Sequence, residues 1–300
     1  MHALQLAMLP VVALLVAGMV GTSERIVAAD GVVTGTVNGV PLRLRVDPGA
    51  TATPLISRDV AQRAGLKPSI FGAEYSVGPV TVVFDTAVTM LDTGTGPLRR
   101  RVAWTDRSWN TGVDGVIGPG MLPEDTIRFQ LRQPQAGEVL SVFRMVDQGG
   151  IGARWGERFA AVPFGNRTLR VRFEPHRPDS VATAQAGALI AAKNRGFFTG
   201  SSRMAHIAFG VERPVRQLQL AEPLAIGSLR LSSLGVRTND FGAVGSIGEG
   251  PGSRDPNEIV VVGSRQPPRY DQVTLGHDVL SRCSSITFAR RAKQVLLRCL

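Results

Sequence analysis

The sequence predicts an all-β protein made of two similar lobes, built as closed or partly open β-barrels with short helices. Composition is the first observation, because 34 glycines and 19 prolines among 300 residues favour turn-rich β structure over long helices. Internal similarity is the second, since the same order of strand and helix patterns occurs twice along the chain. Hydrophobic residues make up 43% of the sequence, which is enough apolar material for a substantial core.

The first element is an apolar segment at the N-terminus. Residues 3–21 carry no charged side chain, and the small residues at 27–29 suit cleavage by a signal peptidase. Positions near Gly21 and Ser23 are alternative cleavage points. We therefore expect residues 1–29 to form a signal peptide or, if they are not cleaved, an N-terminal membrane anchor. Both outcomes predict export, to the periplasm or out of the cell.

Each half of the remaining chain opens in the same way. The first half reads VNGVPLRLRVDPGATATPLISRDVAQRAG and the second reads FGNRTLRVRFEPHRPDSVATAQAGALIAAKNRG. Both contain a turn, an alternating strand, an acid followed by proline, and a short helical stretch that ends at glycine. Asp47 in the first half therefore corresponds to Glu174 in the second.

Each half also closes in the same way, with DGVIGPGMLPEDTIRFQL in the first and VTLGHDVLSRCSSITFAR in the second. We predict an N-terminal lobe over residues 30–146 and a C-terminal lobe over residues 147–300. A connector rich in Gln and Gly is expected around residues 132–156. A Gly- and Pro-rich insertion at about 242–271 contains one strand-like run, EIVVVG.

Charge and side-chain spacing exclude several functions. The formal net charge is +10, but the basic runs at 99–101 and 290–293 lack the interleaved aromatic residues that stack on nucleic-acid bases. We therefore expect no nucleic-acid partner. The four histidines lie far apart and two cysteines cannot make a zinc site, so we predict no metal and no cofactor.

The two cysteines, Cys283 and Cys299, flank a segment that is typical of two short strands around a turn at 290–293. Because they are symmetric about that turn, they would face each other across the end of a hairpin. In an oxidising compartment this predicts a disulfide, and two buried free thiols are the alternative.

The repeated pattern resembles the aspartic proteases of the retropepsin and pepsin type, and the resemblance covers about residues 31–300. That family carries apolar-apolar-Asp-Thr/Ser-Gly after a strand, and RVDPGAT here is similar, with Pro48 at the hydroxyl position. GVIGPGML and VTLGHDVL resemble the family's apolar-apolar-Gly strand, which packs under the catalytic loop. The resemblance implies an endopeptidase that acts on a polypeptide through two carboxylates, one from each lobe.

The resemblance assigns specific residues to the site. Asp47 is the expected catalytic acid of the first lobe, and Gly49 and Ala50 are expected to contact the substrate. Glu174 is the expected second acid. Asp179 is the alternative, because DSVAT at that position parallels DPGAT after the first strand. Asp179 is also interpreted as a helix N-cap.

Departures from the family pattern predict low activity. Two close carboxylates share one proton, and the ionised member activates a water molecule. Pro48 has no hydroxyl to link the two loops, and Glu174 is one methylene longer than Asp. We expect an endopeptidase with weak or lost activity; the alternative is a protein that binds peptide or polymer without cleaving it.

A literal Asp92-Thr93-Gly94 also occurs, between two strand-like runs. Its surroundings are typical of a hairpin turn, so we predict that it is not catalytic. We further expect a monomer, because the second half supplies the partner lobe that a dimeric relative would borrow from a second copy.

Overall fold

The computed structural model describes residues 23–107, 112–147, 156–240, 244–250 and 271–300, and it confirms an all-β protein with two lobes. The strands of the first half are β1 (Glu24–Val27), β2 (Val32–Val37), β3 (Val40–Val46), β4 (Leu55–Ile56), β5 (Ala73–Val77), β6 (Val80–Asp92), β7 (Pro97–Trp104), β8 (Gly115–Ile117), β9 (Thr126–Gln130) and β10 (Val139–Asp147). Those of the second half are β11 (Arg158–Phe164), β12 (Arg167–Phe173), β13 (Val181–Ala182), β14 (Gly196–Ala208), β15 (Val211–Ile226), β16 (Leu229–Arg237), β17 (Gly248–Glu249), β18 (Gln272–Leu275), β19 (Cys283–Ala289) and β20 (Gln294–Cys299). The α-helices are α1 (Arg58–Arg63), α2 (Ala184–Asn194) and α3 (His277–Leu280).

The first lobe is a closed barrel. Its strands follow the order β2-β3-β8-β4-β7-β6, and β6 returns to pair with β2, while β5 extends the sheet beyond β6. The sequence of β3 shows why it fits such a barrel, since Leu42, Leu44 and Val46 are buried and Arg43 between them is exposed. Alternate side chains of a strand point to opposite faces, so this pattern buries one face inside the barrel.

The second lobe repeats the pairings of the first. β3 pairs parallel with β8, and β12 pairs parallel with β18. β4 pairs antiparallel with β8 and parallel with β7; correspondingly, β13 pairs antiparallel with β18 and parallel with β16. These shared pairings make the lobes pseudo-symmetric. That the two halves arose by duplication stays a prediction.

A large sheet joins the two halves. In this sheet β1 and β9 from the first half continue through β19, β20 and β10 to β11 of the second half. The prediction of a connector at 132–156 was wrong in part, because it contains β10, which pairs with both β20 and β11. Val139, Leu140 and Val142 are exposed on this strand, so no clear buried face marked it in the sequence.

Strand β1 lies within the segment predicted as a leader. It pairs parallel with β9, and Val27 is buried against the core. Cleavage after position 29 would remove this strand, whereas cleavage near Gly21 or Ser23 would leave it in the sheet. The apolar run itself lies outside the described residues, as does the strand-like run EIVVVG of the predicted insertion. No helix in the described part of the chain is long and apolar enough to cross a membrane.

Cys283 and Cys299 lie opposite each other on β19 and β20, and the structure joins them in a disulfide. Both are fully buried, and their Cα atoms are 3.8 Å apart.

We expect replacement of both cysteines by alanine to lower the free energy of unfolding by about 3 kcal/mol, because the crosslink restricts the unfolded chain. Chemical denaturation of the variant and the native protein measures this difference. Mass spectrometry of the native protein without reductant is the control, and a mass that shows two free thiols would contradict the bond.

Candidate active site

Asp47 follows directly after β3, in a tight turn held by backbone hydrogen bonds. Its N–H donates to the carbonyl oxygen of Ile117 in β8 at 2.9 Å, and its own carbonyl accepts from the N–H of Ala50 at 3.1 Å. The N–H of Gly49 donates to the Asp47 carboxylate oxygen Oδ1 at 2.8 Å. These bonds fix the carboxyl group at the end of the strand, where the first lobe meets the second.

Glu174 occupies the matching backbone position in the second lobe. Its N–H donates to the carbonyl oxygen of Leu275 in β18 at 2.9 Å, and its carbonyl accepts from the N–H of Arg177 at 2.9 Å. Both bonds repeat those of Asp47. By backbone pairing, Glu174 is therefore the counterpart of Asp47.

The two acidic loops touch at Gly49. A Cβ atom on Gly49 would lie 2.8 Å from Cγ of Glu174 and 2.8 Å from the carbonyl oxygen of Phe173. No larger side chain fits at such a distance, so glycine is required for the close approach of the loops. Asp47, Gly49, Ala50 and Glu174 all line one cleft of 460 Å³.

The closing motifs support both loops from below. A Cβ atom on Gly118 would lie 2.6 Å from the carbonyl oxygen of Thr51, and one on Gly276 would lie 2.6 Å from that of Asp179. Each glycine therefore lets the chain pass directly beneath an acidic loop. This explains why the same apolar-Gly pattern occurs in both halves.

A buried network of polar side chains holds Glu174. The Arg172 guanidinium contacts Glu157 and lies 2.5 Å from the Glu174 carboxylate. It also donates to the Tyr75 hydroxyl at 2.8 Å, and that hydroxyl donates to Glu157 at 2.7 Å. Because Tyr75 belongs to the first lobe and the other three to the second, the network links the lobes beside the acidic loops.

Sequence reasoning missed Tyr75, Glu157 and Arg172 as site residues. One signal was present, because Arg172 and Glu174 are two positions apart along β12 and its extension and so share a face. No comparable signal pointed to Tyr75 or Glu157, which are distant from this strand in sequence.

The two acids have different surroundings. Burial, followed by repulsion from Glu174, raises the pKa of Asp47 to about 7, although the Gly49 N–H and Arg172 act in the opposite direction. Asp47 is therefore protonated under mildly acidic conditions. Glu174 is ion-paired with Arg172, and Arg177 lies 3.7 Å away. Burial lowers the pKa of Arg172, but Glu157 and Glu174 outweigh it, so that pKa lies well above its usual value.

Asp179 lies in the same cleft but does not occupy the position that corresponds to Asp47. Its carboxylate forms an ion pair with Arg203. The interpretation of Asp179 as a helix N-cap was wrong. Thr183 caps α2 instead, accepting from the N–H of Ala186 at 3.3 Å. The reason is that strand β13 separates Asp179 from the helix.

The literal Asp92-Thr93-Gly94 forms the turn between β6 and β7, as predicted. The Asp92 carboxylate oxygen Oδ1 accepts from the N–H of Gly94 at 2.7 Å and from that of Gly96 at 3.1 Å. Its hydrogen-bonding capacity serves the turn, and Asp92 does not line the cleft.

Two hairpins meet over the cleft. Phe209, in the β14–β15 turn, packs edge-to-face on Tyr75 in β5 and on Phe84 in β6, with ring centroids 4.9 Å and 5.1 Å apart. The hairpins thereby cover part of the space above Asp47 and Glu174. Such a cover limits the access of bulk water. Among the described residues, no group of three or more His, Cys, Asp or Glu side chains could hold a metal ion.

Residues 33–72, which include Asp47, Gly49 and Ala50, match the model of the family described as aspartyl protease. The chain resembles the aspartic proteases of the retropepsin and pepsin type. The matched range includes the turn after β3, whose sequence RVDPGAT resembles the family's motif with Pro48 at the position of the usual Thr or Ser.

Two solved structures are similar to this aspartic-protease-like chain. The retroviral protease-like domain of Ddi1 from Leishmania major is 20% identical over 29% of this chain and 70% of its own, with a TM-score of 0.23. The aspartic proteinase from Irpex lacteus is 11% identical over 90% of this chain and 94% of its own, with a TM-score of 0.42. Comparison with curated proteins gives no significant match.

Proposed function

We propose that the chain is an exported, monomeric endopeptidase of the aspartic type, with weak activity, that uses Asp47 and Glu174 as its acid pair. The observation that supports this most strongly is the matched backbone position of the two acids, each fixed at the end of a strand by the same two hydrogen bonds. The raised pKa of Asp47 supplies the protonated member of the pair. Glu174, which contacts Arg172, acts as the base of the pair in this proposal.

In the proposed reaction, the Glu174 carboxylate takes a proton from a water molecule in the cleft, and the water oxygen bonds to the carbonyl carbon of the peptide. Asp47 gives its proton to the carbonyl oxygen, which forms a gem-diol. The proton on Glu174 then passes to the amide nitrogen as the C–N bond breaks. One hydroxyl of the diol returns a proton to Asp47, which restores the starting state.

Two features account for weak activity. Pro48 can donate no hydrogen bond to the opposite loop, so one of the contacts that would align the two loops is missing. The carboxylate of Glu174 is also engaged by Arg172 and approached by Arg177, which competes with water for its oxygens. Misplacement of the water by about 1 Å lowers the rate by roughly 100-fold.

Binding of peptide without cleavage is the second candidate function. The 2.5 Å contact between Arg172 and Glu174 favours it, because the guanidinium occupies a carboxylate oxygen that a base must offer to water. The covered cleft, Gly49 and Ala50 would serve either function.

We expect hydrolysis of mixed denatured proteins to be strongest below pH 7 and to fall about tenfold per pH unit above it. The rate falls as the pH rises because Asp47, whose pKa is about 7, must be protonated to act as the acid. Product peptides are measured by mass spectrometry across pH 3–9. A rate that stays level from pH 6 to 9 would contradict this assignment. Absence of products at every pH, together with peptide binding, would support the second candidate.

A further inference from the structure

A second, smaller cavity of 200 Å³ adjoins the cleft. The two cavities share five lining residues: Tyr75, Glu157, Arg172, Arg177 and Ile207. Because the same side chains form both walls, the small cavity lies beside Asp47 and Glu174 rather than elsewhere on the surface. Its volume is below that of a pocket for a drug-sized ligand, and it suits a single side chain.

Cationic groups dominate the lining of this cavity. Arg170, Arg172, Arg177 and Arg237 line it, and among the described residues Glu157 is the only carboxylate that does so. Carboxylates outside the lining pair with some of these arginines, namely Glu174 with Arg172 and Arg177, and Asp240 with Arg237.

Burial strengthens the preference of these guanidinium groups for an anion. Arg172 is 4% exposed and Arg237 is 8% exposed, so both are largely removed from water. The Nε atom of Arg172 is buried and has no hydrogen-bond acceptor among the described residues. A buried charged donor that has no acceptor within the protein favours the entry of one. Ser76 and Thr183 add hydroxyl groups to the wall.

We propose that this cavity, named here the arginine pocket, binds an acidic side chain, glutamate or aspartate, of the peptide held at Asp47 and Glu174. The proposal rests on the proposed function only in requiring that a peptide occupies the cleft. A carboxylate matches the planar fork of a guanidinium and accepts two parallel hydrogen bonds from it. A neutral amide of the same size lacks the charge and offers only one acceptor oxygen.

The test is binding of octapeptide mixtures in which one position is fixed in turn as Glu or Gln and the others are randomised. Affinity is measured by competition against a fluorescent member, with the Asp47→Asn variant so that cleavage during the measurement is slowed about 10²- to 10⁴-fold. We expect the Glu mixture to bind about 10- to 100-fold more tightly than the Gln mixture at one position, as for a charge-assisted hydrogen bond. The same pairs are then assayed for hydrolysis by the native protein.

Substitution within the arginine pocket should remove this discrimination. Arg170→Gln and Arg237→Gln, each made in the Asp47→Asn background, are expected to lower the Glu-to-Gln affinity ratio about tenfold. Arg100→Gln makes the same change of charge on an exposed residue of β7 and is expected to leave the ratio unchanged. Arg237 pairs with buried Asp240, so Arg170→Gln is the decisive variant if Arg237→Gln unfolds.

The outcomes separate this proposal from the proposed function. A Glu preference that Arg170→Gln removes, without any hydrolysis, would support the arginine pocket and contradict the endopeptidase. Hydrolysis with equal affinity for the Glu and Gln mixtures would overturn the arginine pocket and leave the endopeptidase standing. The arginine pocket would also be overturned if no peptide bound. The same conclusion would follow if Arg100→Gln lowered the Glu-to-Gln affinity ratio as much as Arg170→Gln does.

Discussion

Replacement of Asp47 by asparagine is expected to reduce hydrolysis by about 10²- to 10⁴-fold, the usual contribution of general acid–base catalysis. Asparagine has nearly the same shape and keeps the acceptor for the N–H of Gly49, but it cannot give a proton to the carbonyl oxygen. Initial rates are measured at the pH optimum of the native protein. We expect the loss to appear in kcat, because the proton is transferred only in the transition state.

Asp92→Asn is the matched control, since it makes the same change in the literal Asp-Thr-Gly of the β6–β7 turn. It is expected to retain native hydrolysis, because the hydrogen bonds that the Asp92 carboxylate makes to described residues both lie within its turn. Cleavage that persists in Asp47→Asn would discard the acid pair. If Asp92→Asn lost cleavage while Asp47→Asn kept it, the catalytic residue would be Asp92 in the β6–β7 turn and not Asp47.

The stability of Asp47→Asn provides an independent check on the environment of this carboxyl. The pKa of Asp47 rises from 3.8 to about 7 on folding, so the folded state binds the proton more tightly than the unfolded chain. The contribution to stability is therefore present below pH 3.8 and is lost as the pH rises toward 7. The asparagine side chain of the variant does not ionise and has no such loss. We expect the variant to be more stable than the native protein by about 4 kcal/mol at pH 8, and the difference to fall below about 1 kcal/mol near pH 4.

Replacement of Arg172 by methionine is expected to lower the free energy of unfolding by about 3–5 kcal/mol, because it leaves the buried Glu157 without its cation and leaves Glu174 only the more distant Arg177. The Arg172 and Glu157 side chains are both 4% exposed, and that of Glu174 is 17% exposed. Denaturant titration at pH 7 measures the change. The Arg172→Met substitution is also expected to raise the pKa of Asp47, because Arg172 lowers that pKa in the native protein.

An exposed ion pair provides the control for this prediction. Arg58 pairs with Asp106, and their side chains are 48% and 72% exposed. Arg58→Met is therefore expected to cost less than about 1 kcal/mol. The double variant Arg172→Met with Glu157→Gln should recover part of the lost stability, because it removes one of the unpaired charges. Equal losses for Arg58→Met and Arg172→Met would contradict the buried network.

Local patterns in the sequence determined the frame of the candidate site. The alternation of β3 and the acid-proline step after it indicated where Asp47 lies, and the repeat indicated that Glu174 corresponds to it. The Gly-rich run after β6 indicated a turn at Asp92. Each of these features depends on residues within one strand or turn, and such short-range order leaves a period or a turn signature in the sequence.

Only the tertiary structure decided which side chains surround the acids. Tyr75 lies 97 positions from Arg172, and Glu157 lies 15 positions from it, yet all three share hydrogen bonds. The structure also placed β10 in the joining sheet and showed that Thr183, not Asp179, caps α2. The arginine pocket likewise draws its cations from separate strands, β12 and β16, and from the loop after β12. Contacts between distant segments depend on how the strands pair and pack, and no local period records that arrangement.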